Sequence, residues 1–213
     1  MVTDSTTLGE AASVPQPGKR ERLVAAACEL VHRQGVAHTT LADIAQAADM
    51  LVGNLYYYFK TKDDIVAAIV DTHAHQLTSA LTELEGRHRS PKARLKALVG
   101  VLAERRESIA HYGCRYGTLG SELAKRAEGP DPLAALLMRI PLDWAEQQFR
   151  AMGRRDAHDL AVELVASYQG SAVLSNALGQ PELMARQARR LKRWIDTLAT
   201  STDPTGRHIG EKG

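Results

Sequence analysis

Residues 39–64 constrain the fold of this chain most, because they carry the signals of short helices joined by a tight turn. Thr40 stands directly before an apolar run of helical spacing, and Asp43 follows three residues later. A hydroxyl residue with an acid at that distance is typical of a capped helix start. Asp49 then marks a turn, since aspartate tolerates left-handed backbone better than most residues. Thr61 and Asp64 repeat the capping pattern and predict another helix start.

A second short helix is predicted over residues 51–59, and its end carries four consecutive aromatic residues. Leu55 and Phe59 are four apart and are expected to face inward. A helix this short cannot bury four rings, so some of the phenols are expected to be exposed. Exposed tyrosines beside Lys60 and Lys62 favour phosphate contact, because a phenol donates to a phosphate oxygen and a lysine neutralises its charge.

This arrangement resembles the helix-turn-helix of the TetR family of bacterial transcription regulators. The resemblance covers about residues 20–70 and rests on the Thr-capped first helix, the Ala-rich segment before the turn, Gly53, the run from Leu55 to Phe59, and Lys62. Two positions depart from the family pattern. Asp49 stands where the family usually has glycine, and Leu51 stands where it usually has the serine or threonine that caps the recognition helix.

The resemblance implies an all-α fold, in which a three-helix head is joined by a long helix to a ligand-binding and dimerisation body. The domain limits predicted from the sequence are a disordered tail over 1–17, the DNA-binding domain over 18–64, the body over 65–200 and a flexible tail over 201–213. The partners implied are an operator in double-stranded DNA, a second copy of the chain and a small-molecule effector. The residues predicted to contact DNA are Thr40, Leu51, Val52, Gly53, Asn54, Tyr56, Tyr57, Lys60 and Lys62.

Composition agrees with this class and excludes others. Alternating strand patterns are absent, so all-α is the class that fits. The formal net charge of +2 gives no global basic field, so DNA binding has to come from a local patch. Two cysteines, Cys28 and Cys114, do not make a disulfide framework. No apolar run approaches a membrane span and the first residues lack a signal-peptide core, so a cytoplasmic location and no membrane partner are expected.

The body offers aromatic and polar residues that could line a ligand cavity. Few of its acids are expected to be buried, which favours an apolar or aromatic ligand. In the TetR resemblance the segment around residues 112–123 falls where the ligand-binding body is built. The predicted wall residues are Tyr112, Cys114, Tyr116, Met138, Trp144, Phe149, Tyr168 and Gln169.

The last two predicted helices, from about 156 to 178 and from 181 to 200, carry small residues and a four-three-four-three apolar seam. One interpretation is a hairpin packed on its own body. The other is a four-helix interface with a second copy, which the TetR resemblance favours. The predicted interface residues are Tyr168, Ala172, Ser175, Met184, Leu191, Trp194, Ile195 and Leu198.

Three functions are compatible with the sequence, and the first is the prediction: a ligand-responsive regulator that acts as a repressor. The second is a redox or electrophile sensor on the same fold, triggered at Cys114, where the neighbouring Arg115 could lower the thiol pKa. The third is an enzyme or small-molecule carrier. His111 and Cys114 lack a third catalytic member, and His73 and His75 point to different sides of a helix, so no catalytic site, cofactor or metal site is predicted.

Overall fold

Helices follow one another along the protein, as the apolar periodicity predicts. We describe residues 18–126, 129 and 131–198 of a computed structural model, and within them the fold is all-α, which confirms the predicted class. The predicted tails lie outside the described residues. The helices are α1 (Lys19–His38), α2 (Leu41–Ala47), α3 (Val52–Tyr58), α4 (Lys62–Arg87), α5 (Pro91–Glu104), α6 (Arg106–Tyr112), α7 (Arg115–Arg126), α8 (Pro132–Ala151), α9 (Ala157–Leu178) and α10 (Glu182–Thr197).

Both predicted capping boxes are present and fix where α2 and α4 begin. The Thr40 side chain accepts from the Asp43 backbone N–H at 3.1 Å, and the Asp43 carboxylate accepts from the Thr40 N–H at 2.9 Å. Thr61 and Asp64 make the same pair of bonds at 3.1 and 2.9 Å. Each box satisfies backbone donors that a helix start would otherwise leave without a partner.

Gly35 follows the apolar stripe of the first helix and predicts its end, but in the structure it forms a kink. Gly35 takes φ 81° and ψ 163°, which interrupts the helix, and helical backbone resumes as far as His38. This φ lies in the region that favours glycine. Beyond the kink, the Val36 N–H donates to Glu122 of α7 at 2.7 Å, so the interruption also places a bond between the head and the body.

The middle of the chain differs from the prediction in two places. The apolar spacing from residue 91 to Ile109 predicts one helix, but the chain bends at Arg105 and forms two, α5 and α6. Three glycines within residues 113–120 predict a turn, but Gly117 and Gly120 lie inside α7. A Cβ on Gly117 would collide with the end of the flexible Gln169 side chain of α9, which would have to move.

The head does not have a hydrophobic core of its own. Buried residues of α1 to α4, such as Leu23 and Ile69, form one cluster with Leu119 and Leu123 of α7 and with Leu137 of α8. The second main cluster joins the far half of α4 to α5, α8, α9 and α10. The long helix α4 therefore contributes to both cores, and the predicted boundary at residue 64 falls inside it.

The apolar seam of α10 is part of the body core. Met184, Leu191 and Ile195 are buried within a single chain, Ile195 completely, and α10 packs against α5 and α9. Ala172 and Ser175 of α9 are buried in the same way. These five positions therefore offer no surface to a second copy, and their assignment to a dimer interface is wrong. Of the other predicted interface residues, Tyr168 lies against a cavity, and Trp194 and Leu198 pack partly buried on the second core.

Candidate nucleic-acid interface and ligand cavity

The turn between α2 and α3 closes without glycine. Asp49 adopts φ 54°, the left-handed region predicted for it, and it is the one described residue other than glycine with a positive φ. The Met50 N–H donates to the Ala45 carbonyl oxygen at 2.9 Å and closes the turn. Arg22 of α1 supports it from the side, since its guanidinium donates to the Ala48 carbonyl oxygen at 2.6 Å.

The helix α3 has a buried face and an exposed one. Leu55 and the following Phe59 are buried in the head core, as predicted. Large side chains are nevertheless exposed on the other side: Leu51 is 78% exposed and Tyr57 is 77% exposed. Val52, Gly53, Asn54 and Tyr56 are exposed as well. An exposed apolar and phenolic surface of this size on two helical turns is typical of an interaction site, so this face is a candidate interaction surface.

Leu51 precedes α3 without capping it through a side-chain bond. Leu51, which departs from the usual sequence pattern at this position, therefore leaves the start of α3 without a side-chain cap. An added Cβ at Gly53 would meet no other atom within 4 Å, so the fold itself does not require glycine there. A glycine without a packing reason at an exposed helix start allows another molecule's backbone to approach closely.

The polar residues predicted beside α3 are partly engaged with the protein. The Lys60 ammonium donates to the Tyr56 carbonyl oxygen at 2.7 Å, at the end of α3, and the half-buried Lys62 donates to the Ala37 carbonyl oxygen at 3.4 Å. The Thr40 hydroxyl donates to the Asp43 carboxylate at 2.7 Å, which also holds the pKa of that carboxyl below its usual value. Thr40 is thus first a helix cap, while both lysines keep further N–H donors.

A narrow apolar cavity of about 60 Å³ lies in the body. Four of the predicted wall residues, Tyr116, Met138, Tyr168 and Gln169, line it. Most of its walls were not predicted, because leucines and valines at helical spacing look the same whether they fill a core or border a cavity. The unpredicted lining residues are Leu77, Leu81, Leu98, Val99, Leu102, Ala103, Leu137, Pro141, Leu164, Val165, Ser171, Met184, Gln187, Ala188 and Leu191.

Three predicted wall residues lie elsewhere, so their assignment to the cavity is wrong. Trp144 is buried in the second core, where its indole N–H donates to Glu85 at 2.8 Å. Phe149 is completely buried, with its ring centroid 6.0 Å from that of Trp194. Tyr112 stacks against His32 and His111 where α6 meets α1. Aromatic residue type alone did not separate core packing from cavity lining.

Cys114 is buried, and its Sγ accepts a hydrogen bond from the Tyr168 hydroxyl at 3.6 Å. It lines a neighbouring cavity of about 340 Å³ together with Arg105, Arg115 and both tyrosines of the apolar cavity. Burial raises the pKa of the Tyr168 and Tyr116 phenols, which keeps them as neutral hydrogen-bond donors. Burial also raises the pKa of the other thiol, that of Cys28, to about 11.

The outer face of α9 is an apolar surface that the sequence reasoning missed. Val173 is 67% exposed, and Leu174 and Leu178 are more than half exposed. Val162 belongs to the same set, and the small residues between them are exposed at helical spacing. Because α9 is apolar on both faces, its residue pattern did not show which face turns inward. The exposed small residues are Ala166, Gly170 and Ala177.

A helix-turn-helix head with an exposed second helix, on an all-α body, defines a DNA-binding transcription regulator of the helix-turn-helix class. The family model described as bacterial regulatory proteins, tetR family, matches residues 23–69. A relative from Lactococcus lactis, described as an uncharacterised HTH-type transcriptional regulator, is 28% identical over 88% of this chain and 94% of its own length. The HTH-type transcriptional regulator TtgR of Pseudomonas putida is 25% identical over 84% and 88%.

A solved structure extends the similarity to the whole architecture. The TetR transcriptional regulator from Legionella pneumophila superposes with a TM-score of 0.75, over 86% of this chain and 98% of that one, at 17% identity. At that identity the likeness concerns the fold. The family match over residues 23–69 and the curated regulators place the chain in the TetR family of helix-turn-helix transcription regulators. None of the described helices combines the length and hydropathy needed to cross a membrane.

Proposed function

We propose that the protein is a ligand-responsive repressor that binds a palindromic operator as a homodimer. The observation that carries the proposal is the exposed face of α3, where Leu51, Asn54, Tyr56 and Tyr57 stand in solvent over a buried core. A recognition helix enters the major groove with such a face, and two-fold symmetry of the protein requires two-fold symmetry of the operator.

The exposed side chains divide into two roles on DNA. Asn54 reads a base edge, because an amide can bond adenine through both its donor and its acceptor. Leu51 contacts a thymine methyl, which an apolar side chain at the helix start can reach. Tyr56, Tyr57 and Lys60 contact phosphates, which position the helix without reading sequence.

The second copy binds at the outer face of α9. Val173, Leu174 and Leu178 supply apolar area there, while Gly170 lets two helices approach closely. An exposed apolar face of this kind in a soluble chain calls for a partner. Homodimers are typical of the family, and a self-complementary helix face meets the requirement of two-fold pairing.

A signal from the cavity has a direct route to the head through α7 and α4. Tyr116, at the start of α7, lines the cavity, and Glu122, further along, accepts the Val36 N–H. Near the end of α7, Arg126 pairs with Asp63 of α4 at 2.8 Å. A ligand that shifts α7 therefore acts on both α1 and the start of α4, which changes the spacing of the two heads on DNA.

Selection of binding sites from random double-stranded DNA tests the function. The expected result is an enriched palindrome whose half-sites lie about one or more helical turns apart, bound by two protomers with strong salt dependence. Enrichment of no sequence, or salt-independent binding, would remove the assignment. The DNA upstream of the protein's own gene is a natural second substrate for the same assay.

A thiol switch at Cys114 remains the alternative, and its position in a cavity wall is the observation that favours it. The Sγ is buried and engaged by Tyr168, however, so a packing role accounts for it equally well. We expect Cys114→Ser to keep both operator binding and its release by ligand. Loss of the response in that variant, with operator affinity unchanged, would make the thiol the trigger.

A further inference from the structure

The apolar cavity and the larger one beside it have lining residues in common. Leu77, Leu102, Tyr116 and Tyr168 line both, so the two volumes of about 60 and 340 Å³ share a wall. The first is bordered almost wholly by carbon, whereas the second contains charged and hydroxyl groups. A molecule occupying both would meet an apolar environment at one end and a polar one at the other.

The charge of the second cavity has one sign. Arg105 and Arg115 line it, and its described lining contains neither Asp nor Glu. Neither guanidinium lies within 4.0 Å of a carboxylate in the described part of the chain. The histidine in the same lining, His32, is buried against the Gly113 carbonyl oxygen at 3.1 Å and contributes no negative charge.

Arg105, which is exposed, lines the second cavity together with Tyr116 and Tyr168. Burial raises the pKa of the Tyr116 and Tyr168 phenols, and the positive charge of Arg105 lowers it to a smaller extent. The phenols are donors on the shared wall. A guanidinium with phenolic donors beside it matches a carboxylate, which accepts two parallel N–H bonds and further bonds from hydroxyls.

We propose that the effector is an amphipathic carboxylate, with its slender apolar body in the narrow cavity and its carboxylate at Arg105. This inference rests on the proposed function only in naming the ligand as an effector. A cationic ligand does not fit this site, because its charge would meet the like charges of the two arginines and would find no carboxylate partner. The small volume requires the walls to yield, and Met138 and Met184 are the unbranched side chains that can repack around a chain-like body.

Calorimetric titration of the protein without DNA tests the ligand class. The probes are decanoate, 1-decanol and decylammonium, each kept below its critical micelle concentration, so that chain length is constant and only the head group changes. Decanoate is expected to bind at least about tenfold more tightly than decanol, and decylammonium most weakly, because a charge-assisted bond adds to the burial of the same chain.

Arg105→Gln is expected to remove the advantage of decanoate over decanol while leaving decanol binding unchanged. Arg155→Gln is the matched control, since Arg155 is exposed in the turn before α9 and does not line either cavity. Thermal melting should be the same for both variants and the wild type. A normal decanoate preference in Arg105→Gln would overturn the assignment of the head-group site.

Equal binding of the three probes, a preference for decylammonium, or binding of none would overturn the proposed ligand class. These outcomes are separate from those of the DNA assay. A protein that binds its palindrome but ignores decanoate keeps the proposed regulatory function and loses this inference. A protein that prefers decanoate through Arg105 but selects no DNA sequence keeps the site and loses the regulatory function.

Discussion

The head and the body show how far local signals carry in a helical protein. In the head, Thr40 with Asp43 and Thr61 with Asp64 cap their helices, and Asp49 takes the left-handed turn conformation predicted for it. In the body, helices were found near their predicted positions, but their apolar faces were assigned to the wrong partners. The difference arises because a cap or a turn is decided within four residues, whereas the partner of an apolar face is decided by the whole chain.

The largest effect is expected from charges placed on the buried apolar face of α10. Leu191→Glu with Ile195→Glu places two charges in the body core, where a buried unpaired ion costs several kcal/mol. Since whole domains are stable by about 5–15 kcal/mol, most of the helical signal in circular dichroism should be lost. A folded double variant that merely dissociates would return these residues to a dimer interface.

Gly53→Ala separates the head's fold from its contact with DNA. Ala at an exposed helical position should raise the stability of the head by about 0.5–1 kcal/mol, because no atom opposes the new Cβ. The same methyl should weaken operator binding at least about tenfold if DNA approaches the helix closely at that point. Melting curves and fluorescence anisotropy on a labelled operator measure the two effects.

Gly86→Ala is the matched control, because Gly86 is also exposed and helical with open space around its Cα. It lies at the opposite end of α4 from the head, so it should gain stability without changing operator affinity. Unchanged operator binding in Gly53→Ala would mean that DNA does not approach the helix at this position.

A smaller effect is expected from pH, at the junction of the head and the body. Burial lowers the pKa of His32 and of His73, so the folded chain holds both rings neutral where the unfolded chain would protonate them. The contribution of these histidines to the free energy of unfolding should therefore be fully present above pH 6.5 and be lost as the pH falls. The loss between pH 7 and 6 should be less than about 1 kcal/mol per histidine. Denaturant titrations at the two pH values measure the change.

His73→Gln should reduce that loss, because an amide does not titrate. His158 provides the contrast: it is exposed, and its bond to Glu146 raises its pKa, so its contribution has the opposite sign. Equal loss of stability in the wild type and in His73→Gln would show that burial of this ring does not set the pH dependence.

Particular residues show why the candidate site was only partly predictable. The exposure of Tyr56 and Tyr57 followed from the size of a short helix, which cannot bury four rings. Tyr168 and Trp144 are both aromatic residues of the body, yet one lines the cavity and the other fills the core beside Glu85. Their difference depends on how α8 and α9 are packed, and helical spacing within one segment contains no information about that.

The exposed surface of α9 was likewise not predictable from the residues of that helix alone. Residue type would favour burial of Val173 and Leu174, yet they are exposed and the smaller Ala172 and Ser175 beside them are buried. Packing α10 against α5 and α9 buries one face of the hairpin and leaves the other apolar and exposed. We expect two protomers to pair through that outer face and so hold two heads on one operator.

The double variant Val173→Glu, Leu174→Glu tests this pairing, and sedimentation velocity and operator binding are the measurements. The charge-matched control is Thr78→Glu with Thr82→Glu, at exposed positions of α4. The predicted result is a folded monomer whose operator affinity falls about 100-fold or more, because each head loses the effective concentration supplied by its tethered twin. The control should remain a dimer with normal affinity. A Val173→Glu, Leu174→Glu protein that stays dimeric and binds operator as the wild type does would show that the outer face of α9 is not the dimer interface.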